Sequence, residues 1–194
     1  MEQNQQKIDR RVLYTRMFLR ESLLALMKEK PVARITPTEL CRHAGINRNT
    51  FYSHFSSTEE LLASVEDEFY ETVKRSIEQL SGSGNIAALI TEICQSIADN
   101  YDLCKVILSA NGDKRFLEKL IHLAHDATLA GWKAARVQGD EATLESLYTF
   151  SVSGSVAIIE RWVADGMPKK PAELARFLET VTFSGLQAYL PKQR

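Results

Sequence analysis

Apolar side chains return at every third or fourth position along almost the whole 194-residue chain, and no stretch alternates strictly as a half-buried strand would. That period commits the chain to helices, because a stripe recurring every 3.6 residues has no counterpart on a pleated sheet. Prolines and glycines number only five and nine, so each interruption of the helices can be read individually. The expected fold class is all-α.

The spacing predicts a first helix over residues 10–29, with Leu13, Met17, Leu24 and Met27 on its apolar side and Pro31 closing it. Thr36-Pro37-Thr38-Glu39 reads as a capping box with proline at the first helical position. It opens a short helix, 37–44, which Gly45 ends. Asn47 caps a third helix over 48–54. Ser57-Thr58-Glu59-Glu60 is a second capping box and starts a long helix to about residue 80, with Leu61, Val65, Phe69, Val73, Ile77 and Leu80 as its stripe. Ser81-Gly82-Ser83-Gly84-Asn85 is too short for a domain linker, so it should join two antiparallel helices, with Asn85 as a cap. Four further helices are expected at 86–109 (bent near Asn100), 114–136, 141–165 and 171–190, with Asp113 and Asp140 as caps. Gly166-Met167-Pro168 ends the third of these; Pro171 and Pro191 bracket the fourth.

The net charge of −1 conceals an asymmetry. Residues 1–58 hold ten Lys and Arg against five Asp and Glu, while residues 59–194 hold 14 against 20. A basic head on an acidic body is expected when only the head meets a polyanion. The polar start, Met-Glu-Gln-Asn-Gln-Gln, lacks the apolar run of a signal peptide. Ser146–Ile159, the longest uncharged stretch, reads as too short and polar to span a bilayer, so a cytoplasmic protein without membrane contact is expected. Cys41, Cys94 and Cys104 form no CxxC pair, and three thiols do not make a disulfide scaffold.

Residues 36–55 describe a helix, a tight turn and a second helix. Leu40 and Ala44 face inward, Gly45 permits the positive φ of the turn, Ile46 plugs the corner and Asn47 caps the second helix. That helix then presents polar Arg48, Asn49 and Thr50 at its leading end while Phe51 and Phe55 turn inward. Such a helix has the two things that entry into a DNA major groove requires: an apolar anchor on one side and hydrogen-bonding groups at the end that meets base edges.

The run Ile35-Thr36, Leu40, Ala44-Gly45-Ile46, Thr50-Phe51-Tyr52, His54-Phe55 and Leu61 or Leu62 resembles the DNA-binding domain of the TetR family of transcriptional regulators. Asn47-Arg48 after the turn resembles one sub-branch of it, some of whose members activate or co-activate metabolic operons. The resemblance implies that Thr36, Tyr52 and His54 bind phosphates and that Arg48, Asn49 and Thr50 face base edges or neighbouring phosphates. Arg48 has the fork for guanine and Asn49 the amide for adenine. The family usually carries Lys where this chain has Thr58; the Thr58 backbone N–H can still meet a phosphate, and Thr58→Lys is expected to steepen the salt dependence of DNA binding.

The same resemblance implies a three-helix DNA-binding domain over 1–58 and a helical bundle over 59–194 for effector sensing and dimerisation. It makes the chain a homodimer on a near-palindromic operator, most often a ligand-responsive repressor; an activator or an adaptor working through a protein partner is the alternative. Residues 144–163 combine Leu147, Val152, Val156, Ile159 and Val163 with small Ser151, Ser153, Gly154 and Ser155. Residues 174–189 present Leu174, Phe177, Leu178, Val181, Gly185 and Tyr189. Either stripe suits a dimer interface or an internal core. The effector is a small molecule of unknown identity, and Phe69, Tyr101, Phe116, His122, Trp132, Phe150 and Trp162 are aromatic candidates for its pocket, each equally suited to the core. His122 and His125, three apart with Asp126 adjacent, have a spacing that could hold a metal, but no third ligand is apparent, so no metal and no cofactor is expected. No catalytic motif is present: there is no G-x-S-x-G, no Gly-rich phosphate loop and no H-E-x-x-H, so an enzyme is not expected.

Overall fold

The structure, a computed structural model, describes residues 2–81, 86–134 and 136–189, without the side chains of 2–9, 81, 86, 134 and 188. Among these residues it contains nine α-helices: α1 (Glu2–Met27), α2 (Pro37–Ala44), α3 (Arg48–Tyr52), α4 (Thr58–Ser81), α5 (Ile86–Asp99), α6 (Tyr101–Ile107), α7 (Lys114–Ala134), α8 (Glu141–Ala164) and α9 (Pro171–Leu186). Short 3-10 turns lie at Val32–Arg34 and Gln187–Tyr189. The expected turn at 82–85, the Asn85 cap and Pro191 lie outside the described residues.

Three boundaries differ from the sequence expectation. The first helix begins at Glu2 rather than residue 10, since its polar Glu and Gln residues are good helix formers without giving an apolar stripe. The bend at Asn100 is a full break: its backbone leaves the helical region and its side-chain amide donates to Ser96 O at 3.0 Å. The last helix stops at Leu186 and tightens into a 3-10 turn. The caps at Asp113 and Asp140 form as expected, accepting from Arg115 N and Thr143 N, each at 2.9 Å.

The described residues divide into two compact units. The first comprises the chain up to Glu68 with Ser109–Gly112. Leu19, Leu23 and Met27 of α1, Leu40 of α2, Phe51 of α3 and Leu61 of α4 are each at most 1% exposed, and they form its apolar interior. Each such side chain contributes about 1.5–3 kcal/mol by leaving water. Asn111 donates to Met27 O at 3.2 Å and holds the 109–112 turn against the end of α1.

The second unit comprises Phe69–Leu108 and the residues from Asp113 onward. Within it α5 lies along α9, and α7 lies against α8. Trp132, Tyr148 and Leu186 form one buried cluster, and the Tyr148 hydroxyl donates to Ile121 O at 2.8 Å. Trp162 is buried and its indole N–H donates to Lys169 O at 2.9 Å. Among the described residues α8 is long and apolar enough to cross a membrane by length and composition, so the expectation that its apolar run is too short and polar does not hold for the whole helix. The reason is that the helix continues beyond Ser146–Ile159 at both ends.

His125 ties α7 to α8. As the imidazolium it donates from Nδ1 to Asp126 Oδ1 at 3.0 Å and from Nε2 to the Glu145 carboxylate at 3.1 Å, while the edge of its ring meets Tyr148 with centroids 4.7 Å apart. His122, three positions before it on α7, is exposed. The hydrogen bonds to Asp126 and Glu145 raise the pKa of His125 above its ordinary 6.5, against a smaller opposing effect of burial. A pKa raised by folding contributes stability that is complete below the unfolded value and disappears as pH climbs through the folded one. Urea unfolding across about pH 5 to 9 should therefore show stability falling above about 6.5, and His125→Gln should flatten that part of the profile.

Candidate nucleic-acid interface

The interface candidate is built from the turn between α2 and α3. Thr36 caps α2, its hydroxyl accepting from Glu39 N at 3.2 Å, with Pro37 in the first turn. Glu39 has a second and stronger partner: both its oxygens accept from Lys30 Nζ, at 2.7 and 2.8 Å. The Lys30 hydrogen bond, with a smaller contribution from the Thr36 backbone N–H, holds the Glu39 carboxyl below its ordinary range. An ammonium binds a carboxylate more strongly than a neutral amide does, and Lys30 lies nine positions upstream, beyond the reach of local pattern.

Gly45 ends α2 at φ +64°, where a side chain is disfavoured. The Ile46 N–H donates to Cys41 O at 2.9 Å and the Gly45 N–H to Arg42 O at 3.4 Å, which reverses the chain within two residues. Asn47 then caps α3, accepting from Asn49 N at 2.8 Å. Phe51 is fully buried and meets Tyr52 edge-on at 5.3 Å and Phe55 at 6.1 Å, and the Arg16 guanidinium covers the outer side of Phe55 at 5.3 Å.

With Phe51 fixed, the polar end of α3 faces solvent. Arg48, Asn49 and Thr50 are all exposed, as is Thr36. Tyr52 is 48% exposed, and the Arg48 guanidinium lies 5.7 Å above its ring. His54 is half-buried, its ring tilted against Phe55 at 6.3 Å. Six of the seven residues singled out from the sequence thus have reachable side chains on one stretch of the first unit.

Thr58 is the exception. It is 2% exposed, and its hydroxyl donates to Ile35 O at 3.0 Å, fastening the start of α4 to the extended residue before α2. Its neighbours complete the cap: Ser57 accepts from Glu60 N at 3.1 Å, and the Glu60 carboxylate accepts from Ser56 N at 2.6 Å, one residue earlier than a regular capping box. Thr58→Lys, expected to steepen the salt dependence of DNA binding, would also break the bond to Ile35.

Of the aromatic pocket candidates, Phe69 alone lines the apolar cavity of the second unit. Phe116, Trp132 and Trp162 are buried, while Phe150 is 76% exposed and lines an outer groove with Leu147, Gly154, Ile158, Val181 and Gly185. The two faces of α8 separate here: Val152, Val156 and Ile159 line the cavity, and Phe150 and Gly154 face outward.

Comparison with known proteins agrees with this geometry. Residues 19–65 match the N-terminal profile of bacterial regulatory proteins of the tetR family, and residues 84–184 match a transcriptional regulator C-terminal region from the same family. The uncharacterized HTH-type transcriptional regulator YxbF of Bacillus subtilis is 31% identical over 109 residues, which are 56% of this chain and 26% of that protein's length. Among solved structures, the dihydroxyacetone kinase operon activator DhaS superposes with a TM-score of 0.64 at 15% identity, over 91% of this chain and 98% of its own. Thermus thermophilus FadR, a repressor solved in complex with lauroyl-CoA, superposes with a TM-score of 0.57 at 16% identity, over 92% and 98%.

Thr58→Val keeps the side-chain shape and leaves the Ile35 carbonyl without its donor. It should lower stability by about 1–3 kcal/mol in urea unfolding.

Proposed function

Because the chain belongs to the tetR family of bacterial regulatory proteins and is a DNA-binding transcriptional regulator rather than an enzyme, we propose that it binds a near-palindromic operator as a homodimer and acts as a ligand-responsive repressor in the cytoplasm. In this reading residues 1–58 carry DNA binding and residues 59–194 carry effector sensing and dimerisation. The Asn47-Arg48-Asn49-Thr50-Phe51-Tyr52 run supports membership of the Asn-Arg sub-branch.

The observation that carries the proposal is the orientation of α3: Phe51 at 0% exposure with Arg48, Asn49 and Thr50 all exposed. The buried ring fixes the rotation of a helix too short to hold itself, and the side chains left outside are of base-reading types. Arg48 then pairs with guanine and Asn49 with adenine, and Thr50 meets a base edge or a neighbouring phosphate. Thr36, Tyr52 and His54 hold phosphates, and Thr58 contributes only its backbone N–H. In the free protein Arg48 rests on Tyr52, an exposed cation–π contact of about 0.5–1 kcal/mol that a guanine contact easily offsets.

Dimerisation is supported by the outer face of α8 and α9. Phe150 and Val181 are exposed there, and nothing lies within 4 Å of where a Cβ on Gly154 or Gly185 would sit. An apolar face notched by small residues suits close approach of a second copy, and a twofold pair doubles the short sequence that one α3 can read.

Selection from random duplexes at low ionic strength tests the reading. Enriched sites should be near-palindromes with half-sites about 34–36 Å apart or a multiple of that; absence of enrichment sinks it and favours the adaptor alternative. Arg48→Ala should relax preference at one base pair per half-site by about 1–3 kcal/mol, whereas Tyr52→Phe should weaken all duplexes alike. Val181→Glu should give monomers by light scattering and lose the palindromic preference together with the dimer.

A further inference from the structure

The second unit contains a cavity of about 170 Å³ between α4, α5, α6, α7, α8 and α9. Phe69, Cys94, Ile121, Ala124 and Val156 represent its lining. Among the described residues no charged or amide side chain lines it, and the one hydroxyl is that of Ser155. Burial pushes the Cys94 thiol up to about 11, so it remains neutral and behaves as a small hydrophobe. His125, beside Ala124, is engaged with Asp126 and Glu145.

Polarity sets the first limit on an occupant. A water inside would find one hydroxyl where it needs two to four polar partners, so this lining does not hold water in place. A carboxylate, phosphate or ammonium brought inside would lose its hydration with nothing in exchange, a loss of several kcal/mol. Size sets the second limit. An apolar cavity of about 150 Å³ holds one benzene molecule, so this one takes about six carbon atoms.

From lining and volume together we propose that the effector site of this chain takes an uncharged hydrocarbon group of about six carbon atoms, a hexyl-like chain or a single ring, with no polar function inside the cavity. As an effector site this rests on the regulator reading above; as a binding site it rests on the cavity alone. Selectivity comes from exclusion: any molecule with a charged group in the buried position is rejected by desolvation, and longer chains gain nothing beyond the cavity's length.

Calorimetric titration of the full chain with the 1-alkanols from butanol to decanol, benzene and sodium hexanoate tests it. Affinity should rise about fourfold per methylene up to about six carbons and then level off; benzene should bind, and hexanoate should bind at least about tenfold more weakly than 1-hexanol. Ala124→Leu and Val156→Phe, each checked for folding by its unfolding midpoint, should abolish 1-hexanol binding, and Ser155→Ala should leave it within about twofold. Hexanoate binding as tightly as 1-hexanol, affinity independent of chain length, or undiminished binding to both filled variants would overturn the proposal, the last by placing the alkanol on the outer groove of α8 and α9. Duplex binding by the same samples separates the two readings. Intact duplex binding without alkanol binding removes this inference alone, while a normal alkanol series without duplex binding removes the regulator reading and leaves the cavity's chemistry standing.

Discussion

Burial of Phe51 is the constraint on which the rest of the first unit's function depends. A five-residue helix has no stability of its own, since nucleation costs more than one turn of hydrogen bonds returns. α3 exists because its single inward aromatic is fully buried and because Asn47 satisfies the first free amide. One ring therefore decides both that the helix forms and which way it faces, and the exposure of Arg48, Asn49 and Thr50 is the complement of that decision.

Around this anchor the turn is held by bonds of different reach. Gly45 and Ile46 close α2 locally, through the Cys41 and Arg42 carbonyls. Lys30 to Glu39 and Thr58 to Ile35 are longer-range ties, bridging nine and 23 positions. They attach the N-terminus of α2 and the start of α4 to the residues between α1 and α2, so the helix-turn-helix is framed on both sides. Thr58 shows what a short side chain at a helix start can do: its hydroxyl finds the Ile35 carbonyl inside, where a long ammonium would have to reach outward.

The second unit applies the same logic to a two-sided helix. α8 has apolar residues on much of its circumference, so its pattern does not say which side is core. The structure assigns Val152, Val156 and Ile159 to the cavity and Phe150 and Gly154 to the outer groove. A helix apolar on most sides can turn any of them inward, so tertiary packing and not the pattern decides which side is core.

The sequence by itself determined the helical class, most helix ends and the inward and outward sides of α3, because caps, turn glycines and 3.6-residue periodicity act over four or five neighbouring positions. Asn47, Gly45, Asp113 and Asp140 all act where local chemistry puts them. Tertiary structure decided the features that depend on distant groups: that Glu39 takes Lys30 as its strongest partner, that Thr58 turns inward, and that of seven candidate aromatics only Phe69 reaches the apolar cavity. Local pattern records what a residue can do for its own helix, and only the assembled fold shows which of several suitable partners arrives first.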